Sequence, residues 1–252
     1  MSEVKKSPDK GSSNRPRPGV LGYLVPTLSV VDTPMWTQEL RSWENLRMDA
    51  AQLWPELRSQ RLQLADQIEA LDETAWDVAS WCDGWRVRDA LGHLVHLAEA
   101  TQLSMGADVI RGGLRPDRAL SRSARCLGDL PVPELCRRLR ASADGRFHVF
   151  GSPAAVALGE VLVHGSDALR PVGAEVHAPP TDATAVLDAY WKLGRLAFHA
   201  APHQGHRLTA TDCDWTKGSG SEIKGKAIDL LLFVANRSQV LPNLEGVSLR
   251  PL

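Results

Sequence analysis

The sequence predicts a mainly α N-terminal four-helix bundle followed by a small α+β C-terminal domain. Three observations predict it. Apolar residues recur at helical spacing in several segments between residues 48 and 171. One of these segments, 152–171, is apolar on almost every side, as a helix packed on several neighbours must be. Beyond residue 171 the pattern changes to strand-like alternation over 207–212 and a turn-forming Gly218-Ser219-Gly220 run.

The elements follow in order. Residues 1–47 read as a disordered or irregular N-terminal extension: Lys5, Lys6, Lys10, Arg15 and Arg17 stand among Ser, Pro and Gly, and 21–47 hold at most a short helix. The apolar stretch 19–31 faintly resembles the core of a signal peptide. Pro26 interrupts it and no small-residue cleavage site follows, so a leader is not expected. A first helix is predicted over 48–71 from Leu53, Leu57, Leu64, Ile68 and Leu71. A connection with Trp76, Trp81 and Trp85 leads to a second helix over 86–111. One of its faces carries Val87, Leu91, Leu94 and Ala98, and another carries Asp89, His93 and Leu97. A Gly- and Arg-rich loop is expected over 112–130 and a third helix over 131–146, with Leu135 and Leu139 inward. The fourth helix starts with Ser152 as N-cap and Pro153 at the first helical position, and Pro171 should stop it. The bundle domain is thus 48–171, the proline-rich stretch 172–180 a linker, and 181–252 the small domain. In that domain we expect a helix over 181–200, a strand at 207–212, a second strand around Ile223, a buried helix over 227–236 and a last strand within 240–249.

Composition narrows the function. Hydrophobic residues make up 43% of the 252 and charged residues 23%, enough for a sizeable core. A net charge of -1 gives no global attraction to nucleic acid or membrane. No run of 18 apolar residues exists, so no transmembrane helix is expected. Cys82, Cys126, Cys136 and Cys213 form no C-x-x-C pair and no disulfide framework, which fits a cytoplasmic protein.

One polar stripe breaks the fourth helix. Glu160, His164 and Asp167 lie within roughly 60° of one another around its axis. Two carboxylates and an imidazole on one buried face are costly unless something pairs with them, and a bound metal is an economical partner. Glu160 and His164, at i and i+4, can converge on one ion, while a third ligand must come from another helix. His93 is the best placed and His96 the reserve; Asp89 and Asp167 could orient the histidines. The plain alternative is a hydrogen-bonded polar pair without metal. A ferritin-like di-iron site needs Glu-x-x-His twice, and the chain lacks it. His199, His203 and His206 form a second cluster that reads as loop. Cys82 reads as a small buried thiol rather than a nucleophile. Eight arginines between Arg111 and Arg140 could line an anion pocket, but an exposed surface accounts for most of them more simply.

Three separated blocks resemble one family. Cys82-x-Gly84-Trp85, Val87-x-Asp89 and His93-Leu94 form the first block, with Asp83 where that family usually has proline. Glu160-Val161-x-x-His164-x-x-Asp167 forms the second. Leu208-Thr209-Ala210-x-Asp212-x-Asp214-Trp215, Ile223-x-Gly225-x-Ala227-x-Asp229-Leu230-Leu231-Leu232 and Arg237 form the third. Together they resemble the mycothiol-dependent maleylpyruvate isomerase family. The resemblance implies a DinB-like metal-binding bundle and a sterol-carrier-like C-terminal domain. It implies a divalent metal, usually zinc, on His93, Glu160 and His164, and Arg237 directed to a substrate carboxylate. It further implies mycothiol as thiol cosubstrate, its thiolate attacking a small electrophile such as maleylpyruvate in isomerisation or S-transfer. Two other classes stand beside this one: a non-catalytic metal- or ligand-binding protein, and a thiol-independent zinc hydrolase.

Overall fold

The computed structural model of this chain describes residues 53–148, 154–193 and 203–246. The N-terminal extension, the Ser152-Pro153 helix start and His199 lie outside the described residues. Helix α1, described over 53–69, buries Leu53, Leu57, Leu64 and Ile68 as its spacing requires. After a 3-10 turn at Glu73–Asp77, helix α2 (Val87–Glu99) buries Val87, Leu91, Leu94 and Ala98 on one face and Asp89 and His93 on another.

Two expectations between residues 86 and 130 are corrected. The single helix over 86–111 is broken at Ala100, and helix α3 (Gln102–Arg111) starts anew. Thr101 and Ser104 cause the break. The Thr101 hydroxyl accepts from the Ser104 N–H at 3.1 Å, and the Ser104 hydroxyl accepts from the Thr101 N–H at 2.9 Å. This reciprocal cap offers the backbone an alternative to continuing the helix. The expected loop over 112–130 is mostly a helix, α4 (Pro116–Gly128), packed on α2. Its apolar periodicity is weak because it packs through small residues, burying Ala119, Ala124 and Gly128. A Cβ at Gly92 of α2 would stand 2.5 Å from the Ala124 carbonyl oxygen and 2.8 Å from the Gly128 nitrogen, so the two backbones are in direct contact.

Helix α5 (Val132–Ala141) buries Val132, Leu135, Cys136 and Leu139. Helix α6 (Ala154–Leu169) is buried along almost its whole length. It ends just before Pro171, in a 3-10 turn (Arg170–Val172) closed by Gly173 at φ 76°. Buried residues of α1, α2, α5 and α6 share one core, which continues into the C-terminal part. The arginines of α5 take the surface reading: Arg137 pairs with Glu134, Arg138 with Glu99, and Arg140 with Asp66 and Glu69.

Helix α7 (Pro180–Leu193) packs against both α6 and the later helix α8 (Ala227–Val234). Between α7 and α8 stand three strands, β1 (His206–Ala210), β2 (Thr216–Gly218) and β3 (Ser221–Gly225), in the order β2-β1-β3. β2 runs antiparallel to β1 with Leu208 opposite Lys217, and β3 runs parallel with Leu208 opposite Ile223. In the described part of 240–249, where a strand was expected, a 3-10 helix (Ser238–Asn243) stands instead, followed by one bridge between Lys224 and Glu245. Pro242 has no N–H to give to a ladder. Among the described residues no helix is long and apolar enough to cross a membrane.

The Gly92–α4 contact gives a test. Ala would gain about 1 kcal/mol of helix propensity at this position, but the two atoms nearest its methyl belong to the α4 backbone, and overpacking costs about 1–3 kcal/mol. Gly92→Ala is expected to be net destabilising, read as a lower urea midpoint with an unchanged slope.

Candidate metal centre

The two helices expected to supply ligands do meet. The Nε2 atom of His93, from the middle of α2, lies 3.2 Å from Oε2 of Glu160 on α6. One turn further along α6, Nε2 of His164 lies 3.3 Å from the same oxygen. One donor atom from each of the three residues falls within a 4.8 Å cluster. Two ligands held at about 2.0–2.1 Å by a tetrahedral ion stand about 3.3–3.4 Å apart, so both measured separations fit the edge of such a coordination sphere. The donor set, two imidazole nitrogens and a carboxylate oxygen, suits zinc. His93 is buried, and its Nδ1 has no hydrogen-bond partner among the described residues. His96, the reserve, is not part of this cluster, and its Nε2 lies 3.4 Å from Asp108.

Behind His164 lies a second set of contacts. Its Nδ1 is 3.0 Å from Oδ2 of Asp167, one turn on along α6. Asp167, with a side chain 0% exposed, also takes Nε of Arg237 at 2.9 Å on Oδ1 and Nη2 at 2.7 Å on Oδ2. The Cys82 thiol donates to Asp167 Oδ2 at 3.0 Å, with its Sγ 3.4 Å from His164 Nδ1. Asp167 thus fills the orienting role expected of it. Asp89 does not: its carboxylate accepts from the Arg86 backbone N–H at 2.8 Å and from the Arg86 guanidinium, which fixes the start of α2.

Local sequence explains how the loop residues arrive. Gly84, at φ 71°, lets the chain turn so that the Trp85 N–H reaches the Cys82 carbonyl at 3.1 Å. The Trp81 N–H then bonds the Asp167 carbonyl at 2.9 Å, tying this turn to the last turn of α6. Trp85 packs its ring 5.1 Å from that of His93 and 5.8 Å from that of His164, and its indole N–H donates to Ser121 on α4 at 3.1 Å. Arg237 is delivered by the end of α8. Asn236 adopts a left-handed φ of 63°, its N–H bonds the Phe233 carbonyl, and the Arg237 N–H bonds the Leu232 carbonyl. This is a Schellman termination with Asn in the left-handed position.

Charge is balanced by contact. Burial pushes the His93 imidazole down, against the hydrogen bond it makes to the Glu160 carboxylate. Burial also lowers His164, but Asp167, Cys82 and Glu160 outweigh it and raise this imidazole well above its ordinary value. Glu160 and Asp167 are raised by burial, yet His164 and His93 hold the first, and His164 and Arg237 the second, below the usual carboxylate range. The set opens on a cavity of about 620 Å³ whose wall includes Trp81, Cys82, Trp85, Glu160, Arg237 and Gln239.

The sequence reading missed the exposure of Cys82 to this cavity and the Asp167–Arg237 pair. It placed no histidine beside Cys82 because the two are 82 residues apart. Among the described residues His203 and His206 join no metal-competent cluster; His203 is buried against the Trp191 ring, 4.5 Å away.

The opposed shifts are directly testable. In chelator-treated protein at pH 7, His164 should carry both ring protons while His93 stays neutral, as read by ¹⁵N NMR of the imidazoles. Because the folded pKa of His164 is raised, the stability it contributes is complete below its unfolded value of about 6.5 and is lost as pH climbs through the folded value.

Comparison with known proteins agrees with this architecture. Residues 57–147 match the family described as Mycothiol maleylpyruvate isomerase N-terminal domain. The match includes His93 and ends before Glu160 and His164. No curated protein sequence matches the chain. Among solved structures, a histidine-to-alanine mutant of a mycothiol-dependent maleylpyruvate isomerase superposes with a TM-score of 0.50 at 13% identity, covering 77% of this chain and 91% of that one. A second structure of a mycothiol-dependent maleylpyruvate isomerase gives 0.49 at 15% identity, over 75% and 90% of the two chains. The first superposition shows a shared fold. Residues 57–147 of this chain are thus similar to the mycothiol maleylpyruvate isomerase N-terminal domain family.

Proposed function

We propose that this protein is a metal-dependent, thiol-using isomerase or S-transferase, with one divalent ion, zinc by its donor set, held by His93, Glu160 and His164. One observation carries the reading: three donor atoms from two helices converge within 4.8 Å on the wall of a cavity large enough for a small substrate. The similarity of residues 57–147 to that family, and of the fold to a mycothiol-dependent maleylpyruvate isomerase, supports mycothiol as the thiol and a maleylpyruvate-like electrophile. In this reading the metal-binding unit is 48–171, and 181–252 is the second unit, which supplies Arg237.

His93, Glu160 and His164 would hold the ion, and a divalent charge in place of the His164 Nε2 proton would favour the thiolate of a bound low-molecular-weight thiol over its neutral form. The chain's own groups do the remaining work. Asp167 accepts from Nδ1 of His164 and so turns Nε2 toward Glu160. Hydrogen bonds keep Glu160 ionised and ready to serve as a ligand. Trp81 and Trp85 contribute apolar surface to the cavity wall. Arg237 places a positive charge on the same wall. Its Nε and Nη2 are taken by Asp167 and one Nη1 hydrogen by the Ala235 carbonyl at 2.8 Å. The second Nη1 hydrogen is left for a substrate carboxylate.

Purified protein should contain one equivalent of zinc by elemental analysis, and His93→Ala should lose it. Turnover of an unsaturated keto acid of the maleylpyruvate type should require mycothiol and fall at least about 100-fold in that variant. Thiol-independent hydrolysis would instead indicate a zinc hydrolase. Metal with tight ligand binding and no turnover would indicate a binding protein. Full metal in His93→Ala would overturn the ligand set.

A further inference from the structure

We propose that Arg237 is a positioning residue for the metal site: acting through Asp167, it fixes the orientation of His164, so that a residue of the C-terminal part sets the metal affinity of the helical part. The inference rests on the metal reading above and adds to it a role for Arg237 that needs no substrate.

The geometry is specific. Arg237 grips both oxygens of one carboxylate, at 2.9 and 2.7 Å, in the parallel fork that a guanidinium alone can make. That carboxylate is fully buried, and its residue is pinned again where the Trp81 N–H bonds the Asp167 carbonyl. With both oxygens held, Oδ2 stands at a fixed point 3.0 Å from Nδ1 of His164. The Nδ1 proton must then face Asp167, which leaves Nε2 as the coordinating atom, 3.3 Å from Glu160. Without the fork, the Asp167 carboxylate would keep only the Cys82 thiol and His164, and could rotate about its own axis. Partners that orient a ligating histidine in this way change metal affinity about 10–100-fold when removed.

Substrate-free metal affinity separates this role from a direct contact with substrate. Competition of zinc between the full chain and a chromophoric chelator is expected to give Arg237→Met a dissociation constant about 10–100-fold above wild type. Arg237→Lys, which keeps the charge but offers no fork, should fall between the two. Asp167→Asn should lose affinity to a similar degree. The Arg237→Met/Asp167→Asn double variant should lose no more than Asp167→Asn alone, because the two residues act in series. Melting curves by circular dichroism identify any variant that fails to fold; Arg237→Lys keeps the buried carboxylate paired and carries the test if Arg237→Met does not fold. Wild-type affinity in Arg237→Met, or in Arg237→Lys where it stands in, would overturn the inference and leave the ligand set intact, as would additive losses in the double variant. A wild-type chain that takes up no zinc would overturn both readings together.

Discussion

The buried carboxylate of Asp167 is the point on which the site depends. It accepts from a guanidinium, an imidazole and a thiol at once, and the three come from distant parts of the chain: Arg237 after α8, His164 on α6 and Cys82 in the turn before α2. A lone ionised carboxylate could not remain at full burial. Here two cationic groups offset the desolvation, and in return the carboxylate draws three segments together. The Arg170–Asp229 pair, at 2.7 Å and almost fully buried, makes a second such tie between the end of α6 and α8.

The same arrangement divides His164 into two functional halves. Nδ1 faces the structural carboxylate of Asp167, and Nε2 faces the cavity-lining carboxylate of Glu160. Counted with His93 neutral and His164 protonated, the two carboxylates are matched by Arg237 and the imidazolium. A site neutral in this way would gain one positive charge if a divalent ion took that proton's place.

Close packing holds this geometry. Gly92, one residue before His93, brings the α4 backbone against α2, and Trp85 spans the gap from the histidine rings to Ser121 on α4. α4 thus backs the site without supplying a ligand. It does so through alanines and glycines, which leave no periodic apolar trace in the sequence, and a loop was expected there for that reason.

The sequence by itself determined much of this protein. Leu57, Leu64 and Ile68 on one helix, Leu91 and Leu94 on another and the continuous apolar run of α6 specify buried helices, because helical periodicity maps directly onto a packed face. Glu160, His164 and Asp167 share a stripe by the same arithmetic, and His93 stood out as a polar residue amid apolar neighbours. The contact between Cys82 and His164, and the fork from Arg237 to Asp167, were decided only by tertiary structure. They span 82 and 70 residues, and local spacing carries no record of distances of that kind. Whether Thr101 would interrupt a helix or sit within one was also settled in three dimensions, where its exchange of hydrogen bonds with Ser104 competed with the continuing turn.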